Sequence, residues 1–147
     1  MAIKDKGDYL EYYEPDPSDT RKEESHQVDG VTFLRVHHED LLFWHTVNEG
    51  KKHIHSALLD DQAGLLKGVS DYVFLIGLSR PGCKYPFGAI EMKRVNKSGK
   101  GKASPVSKEQ RSFLRKVRER GGFAAVAYGV NQFEIAVDDM LANSTNS

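Results

Sequence analysis

The chain has 147 residues, 39% of them hydrophobic and 10% aromatic, with 21 basic and 21 acidic side chains and a pI near 7.0. That length and apolar content suit one globular domain with its own core, not a fibrous or disordered chain. No apolar run approaches a membrane span, and Met1 to Tyr9 is charged with no signal-peptide core, so a cytoplasmic protein is expected; the lone Cys83 excludes an intrachain disulfide and a cysteine zinc site within one chain.

Residues 1–17 are acidic and broken by Pro15 and Pro17, which reads as a flexible arm ahead of a domain over 18–141. Ser18 or Asp19 is placed to cap a helix running into the thirties, with Val28, Val31 and Leu34 three apart along one side; Gly30 counts against it. Leu41 to Thr46 reads as a short buried strand, Asn48-Glu49-Gly50 as a turn, and Ile54 to Ala63 as a short helix closed by Gly64. The β-branched and aromatic run Tyr72 to Ile76 is separated by Pro81-Gly82 and Pro86 from a second short run, Ala89 to Lys93, and the two read as a hairpin. After a lysine-bearing loop, 96–103, a helix spans about Ser107 to Arg120 and stops at Gly121-Gly122. Phe123 to Tyr128 is a small-residue strand, Gln132 to Leu141 a last helix, and 142–147 a polar, frayed tail. No internal repeat is visible.

The hairpin is the feature that carries chemistry. Counting outward from Gly82 brings Asp71 opposite the Glu91 to Lys93 stretch, within one or two residues. Side chains alternate along a strand, so Glu91 and Lys93 share one face while Ile90 and Met92 face the core. Two carboxylates offer oxygen ligands of the kind Mg²⁺ takes alongside water and substrate phosphate, and phosphodiester hydrolysis is helped by a cation that binds the phosphoryl oxygens and acidifies a bound water. Lys93 adds a point charge able to orient water or offset charge on those oxygens. A Glu-x-Lys alone is usually a solvated ion pair; its setting beside Gly68-Val69-Ser70-Asp71 and ahead of a basic segment is what lifts it.

That segment, Lys93 to Arg120, holds eleven Lys and Arg against Glu109 and Glu119, a balance of +9, whereas residues 1–30 stand at −5. The net charge of zero conceals a dipolar chain, and a local field of this kind attracts a polyanion. Lys97, Lys100, Lys102, Lys108, Arg111 and Arg115 are the expected DNA contacts.

The order Glu-x-x-Gln on a helix, His-x-x-Asn-x-Gly, Gly-x-x-Asp, Glu-x-Lys, Ser-x-x-Gln and Gly-Gly before a strand resembles the VRR-NUC group of the PD-(D/E)XK nuclease superfamily. It is carried by Glu24 and Gln27, His45, Asn48 and Gly50, Gly68 and Asp71, Glu91 and Lys93, Ser107 and Gln110, and Gly121-Gly122 before Phe123, over about Lys22 to Val137. The resemblance implies an α/β fold with a restriction-endonuclease-like core, a central mixed β-sheet flanked by helices, cutting DNA with Mg²⁺ or Mn²⁺. It implies Asp71, Glu91, Lys93 and Gln110 as catalytic residues, and a metal shell of Glu24, Asp71, Glu91 and the Met92 backbone carbonyl. Glu23, one helical position away, competes with Glu24 for that place. Ser70 stands where the superfamily usually has proline. In stand-alone, virus-type members the resemblance further implies a homodimer acting on branched DNA such as Holliday junctions.

Rival readings remain at this point. Gln110 also reads as an exposed residue on a basic helix, and His45 as a structural hydrogen-bonder. His37-His38, His45, His53 and His55 lack the i, i+4 pairing of a helical zinc site. A non-catalytic nucleic-acid-binding module, with Asp71, Glu91 and Lys93 in a surface ion-pair network, is the alternative to an enzyme.

Overall fold

The computed structural model describes residues 3–46, 58–59 and 62–142. Its elements in chain order are β1 (Ile3–Asp5), β2 (Leu10–Tyr12), α1 (Glu23–His37), β3 (Leu42–His45), β4 (Tyr72–Leu75), β5 (Phe87–Lys93), α2 (Lys108–Glu119), β6 (Phe123–Tyr128) and α3 (Val130–Leu141). The strands form one mixed sheet in the order β1-β2-β6-β5-β4-β3. β2, β6 and β5 run parallel; β1, β4 and β3 join antiparallel to their neighbours. Helices cover both faces, which makes this a three-layer α/β protein.

Alternation along the two central strands sorts the core. Ile90 and Met92 of β5 with Ala125 and Ala127 of β6 face a cluster that includes Leu34 of α1 and Phe133, Ala136, Val137 and Met140 of α3. Ala89 of β5 with Ala124 and Val126 of β6 face Leu114 and Val117 of α2. Small side chains in the middle of the sheet let both helical layers approach closely.

Ser107 caps α2: its Oγ accepts from the Gln110 N–H at 3.0 Å and the Gln110 side chain accepts from the Ser107 N–H at 2.9 Å, a full capping box. The hairpin of β4 and β5 pairs Tyr72 with Ile90 and Leu75 with Phe87, so the register read from the sequence holds.

Three expectations are corrected. The N-terminal residues are not a free arm: β1 and β2 extend the sheet beyond β6, and Tyr9 and Tyr12 are fully buried. Acidic residues dominate the composition there, but a tyrosine-bearing strand with a β6 edge to pair with has both hydrogen bonds and burial in its favour. The buried line of α1 is His26, Gly30 and Leu34 at four-residue spacing, while Val28 is 66% exposed. Gly30 is there because a Cβ would lie 3.1 Å from Met92 Cε and 3.3 Å from the Phe133 ring. Finally, β3 is an edge strand with Leu42 and Trp44 exposed, because α2 packs on β5 and β6 and stops short of β3. The turn expected at 48–50 and most of the helix expected at 54–63 lie outside the described residues.

Candidate active site

Asp71 immediately precedes β4 and Glu91 sits near the end of β5, and the hairpin register brings them together on the face that α2 covers. The Asp71 N–H donates to Glu91 Oε2 at 3.2 Å, and the Met92 N–H donates to Asp71 Oδ2 at 2.8 Å. A strand residue directs its N–H and C=O toward the same neighbour, so the Met92 carbonyl opens toward Asp71, beyond the point where β4 begins. The loop before Asp71 is held against α2 by Gly68, which has φ +80° and where a Cβ would run into the Glu109 backbone. The Asp71 carbonyl accepts from the Thr46 N–H at 2.7 Å, which pins it from the β3 side.

Lys93 points from the same face of β5. Its Nζ donates to Gln110 Oε1 at 3.2 Å, Ser104 Oγ at 3.2 Å and the Pro105 carbonyl at 3.4 Å. Gln110 also donates from Nε2 to Glu91 Oε1 at 2.9 Å. One amide therefore ties the carboxylate, the lysine and the start of α2 into one unit, and Gln110 is not the exposed residue that its helix position alone allowed. Sequence reasoning missed Ser104 and Pro105; nothing in a loop of lysines and glycines marked them as the seat of the Lys93 ammonium.

Asp71, Glu91 and Lys93 are 4%, 2% and 3% exposed. Burial pushes the carboxyls of Asp71 and Glu91 above the usual carboxylate range, and for Glu91 the Asp71 charge adds to the effect while Lys93 works against it. Two such groups side by side each oppose the other's ionisation when no cation is present. A donor set of this kind fits a hard divalent cation, which would satisfy both carboxylates and the Met92 carbonyl while taking its remaining ligands from water and substrate. Among the described residues no three His, Cys, Asp or Glu side chains are grouped to hold an ion unaided.

On α1 the structure brings Glu23, not the favoured Glu24, toward this centre. Glu23 is half-buried, held by Gln27 Nε2 at 3.3 Å, and its pKa is raised by burial and then by the Asp71 charge. Glu24 is exposed and lines a separate cavity with His45 and Tyr72. The His45 ring stacks on Tyr72 at 5.0 Å, and the Tyr72 hydroxyl donates to the Gln27 carbonyl at 3.1 Å. The rotation of α1, set by seating Gly30 on the core, turns Glu23 rather than Glu24 toward Asp71.

The basic segment is partly answered by the N-terminal acids. Lys97 Nζ lies 2.6 Å from Glu11 Oε1 and over the rings of Tyr13 and Tyr128, and Arg111 lies over Tyr9 with Asp8 at 3.9 Å. Arg118 bonds Asp5 at 2.7 Å and Arg115 meets Glu119 at 3.6 Å. Lys100, Lys102 and Lys108 are exposed.

The VRR-NUC domain family model matches residues 18–131. Among solved structures, one described as a VRR_NUC domain protein superposes with a TM-score of 0.59 at 16% identity, over 84% of this chain and 92% of that one, which is a likeness of fold. The comparison with curated proteins gives no match.

Proposed function

The chain belongs to the VRR-NUC domain family, a family of nucleases, and from that premise we propose that it is a Mg²⁺- or Mn²⁺-dependent DNA endonuclease whose chemistry is carried by Asp71, Glu91 and Lys93, with Gln110 as the residue that positions the last two. The observation that carries the reading is the buried Asp71–Glu91 pair joined to Lys93 through one glutamine. Three charged side chains at 4%, 2% and 3% exposure are not a surface ion-pair network, which counts against a purely binding module. Burial of unpaired charge is costly and persists where function requires it.

Asp71, Glu91 and the Met92 carbonyl would hold the metal, with Glu23 approaching from α1. When bound, the metal supplies charge stabilisation at the phosphate and a more acidic water. Hydrolysis adds the elements of water across one P–O bond, the hydroxyl to phosphorus and the proton to the leaving oxygen, while negative charge rises on the phosphoryl oxygens. The Lys93 ammonium offsets that charge or orients the water. Gln110 keeps Lys93 and Glu91 at a fixed spacing, so neither side chain has to be ordered during the reaction. The exposed Lys100 and Lys108 side chains draw the DNA backbone toward the site.

We further infer a preference for branched DNA, cut by a two-fold dimer as in virus-type members, since a domain with one site must pair to make two symmetric incisions. Exposed Leu42, Trp44, Leu75 and Ile135 are available to an interface. The test incubates the protein with linear, nicked, flapped and four-way-junction DNA in Mg²⁺, Mn²⁺ or chelator, with Lys93→Ala to exclude a contaminating nuclease. Metal-dependent cleavage strongest on the junction supports the whole reading; cleavage of all substrates alike, with a monomer by light scattering, removes the branched-DNA and dimer parts. Cleavage by Lys93→Ala at the wild-type rate removes the assignment.

A further inference from the structure

The N-terminal hairpin lies outside the matched family region, yet it builds one wall of a cavity of about 470 Å³ against the segment from Lys97 to Arg111. The cavity adjoins the active site, because Ser104 lines it while its Oγ also accepts from Lys93 Nζ. Four cationic side chains line it: Lys6, Lys97, Lys102 and Arg111. Its carboxylate is Glu11, which is 3% exposed and bonded to Lys97. Lys6 and Lys102 are exposed and pair with no carboxylate among the described residues, and Arg111 has only Asp8 at 3.9 Å. A surplus of positive charge is thus left facing the cavity, next to the residues proposed for chemistry.

The cavity also says what it does not read. Its aromatic residues are Tyr9 and Tyr128, 2% and 5% exposed, with the Arg111 guanidinium over the first ring and the Lys97 ammonium over the second. These rings are covered and present no stacking platform for a base. The volume is that of a small-ligand site and admits one strand, not a double helix.

We propose that this cleft is a phosphate-binding subsite for a single DNA strand leaving the duplex beside the cut, with Lys6 of the hairpin and Lys102 of the facing loop as its two clamps. The proposal rests on the nuclease reading for the identity of the polyanion. It gives the N-terminal strands a role: they carry Lys6 into place through the tight turn in which the Lys6 N–H bonds the Tyr9 carbonyl at 2.9 Å.

The experiment measures binding without cleavage, in chelator, so it stands apart from whether the protein cuts. The full chain is titrated against a labelled blunt duplex and the same duplex with a short single-stranded tail, from 50 to 200 mM salt. Wild type binds the tailed duplex more tightly and with the steeper salt dependence. Lys6→Ala/Lys102→Ala binds both alike, and its log–log slope on the tailed duplex is smaller by about 1.4, two phosphate contacts at about 0.7 each, roughly a sevenfold difference over that salt range. Lys4→Ala, on β1 and outside the cleft, changes neither substrate, and oligo-dA and oligo-dT tails bind equally. Absence of a tail preference in wild type, or equal weakening of both substrates in the double variant with an unchanged melting temperature, overturns the subsite. No cleavage in metal alongside a lysine-dependent tail preference removes the nuclease reading and leaves the subsite standing.

Discussion

The fold opposes the ionisation of Glu91. It is 2% exposed, and burial together with the Asp71 charge pushes its pKa up to about 9 from an ordinary 4.5. In the window between those values the metal-free folded protein holds a proton that the unfolded chain has released, so folding stability falls as pH rises. Glu91→Gln removes the ionisation; its amide oxygen keeps the bond from Gln110 Nε2, and its NH2 offers a donor to the Asp71 carboxylate at the expense of the weaker bond from the Asp71 N–H. Each unit of displacement corresponds to about 1.4 kcal/mol. Counting only two units, since Asp71 shares the burden, gives about 3 kcal/mol at pH 8. A domain of this size gains about 2–4 °C per kcal/mol, so the variant melts roughly 6–12 °C above wild type at pH 8 in chelator and no higher at pH 4.5. The assay is a set of thermal melts of both proteins from pH 4.5 to 8.5, repeated with excess Mn²⁺, which raises wild type and narrows the gap. Melting temperatures that run parallel across the whole pH range would refute the claim that the pair resists ionisation.

Other perturbations follow from the same geometry. Gln110→Ala removes half of the α2 capping box and both ties to Glu91 and Lys93; the melting temperature falls by the few degrees that about 1 kcal/mol represents, while the single-turnover cleavage rate falls by at least tenfold, and a rate that drops no more than the folded fraction would contradict a positioning role. Gly68→Ala forces a Cβ into the Glu109 backbone at positive φ and costs about 2 kcal/mol or more, read in urea denaturation; a loss under 0.5 kcal/mol would mean that the loop shifts freely. Removing residues 1–17 exposes the β6 edge and strips Tyr9 and Tyr12 from the two cores, so the shortened chain aggregates or melts far below the full one; an unchanged melting temperature would restore the free-arm reading.

The elements that were legible in the sequence are those in which local chemistry and tertiary context agree. Ser107 with Gln110 at one end and Gly121 at the other bound α2 almost to the residue, and the Pro-Gly-bearing loop fixed the β4–β5 register that joins Asp71 to Glu91. The rest depended on partners far away in the chain. Whether Leu10 to Tyr12 form a strand depends on an edge offered by Ala125 to Ala127. Whether Leu42 and Trp44 are buried depends on how far α2 reaches across the sheet. Which of Glu23 and Glu24 is turned inward depends on Gly30 docking against Met92 and Phe133. Two of the three acceptors around Lys93, Ser104 and Pro105, come from a loop that no short pattern announces.

The measurement that bears most directly on the central claim is single-turnover cleavage of a four-way junction in Mn²⁺ by wild type, Asp71→Asn and Lys93→Met, with binding of the same DNA measured in chelator. Both variants bind within about twofold of wild type and each cuts slower by at least a thousandfold, the loss expected when a cation with few protein ligands loses one of them or its charge partner is removed. Near wild-type cleavage by either variant would place the chemistry elsewhere and contradict the assignment of Asp71, Glu91 and Lys93.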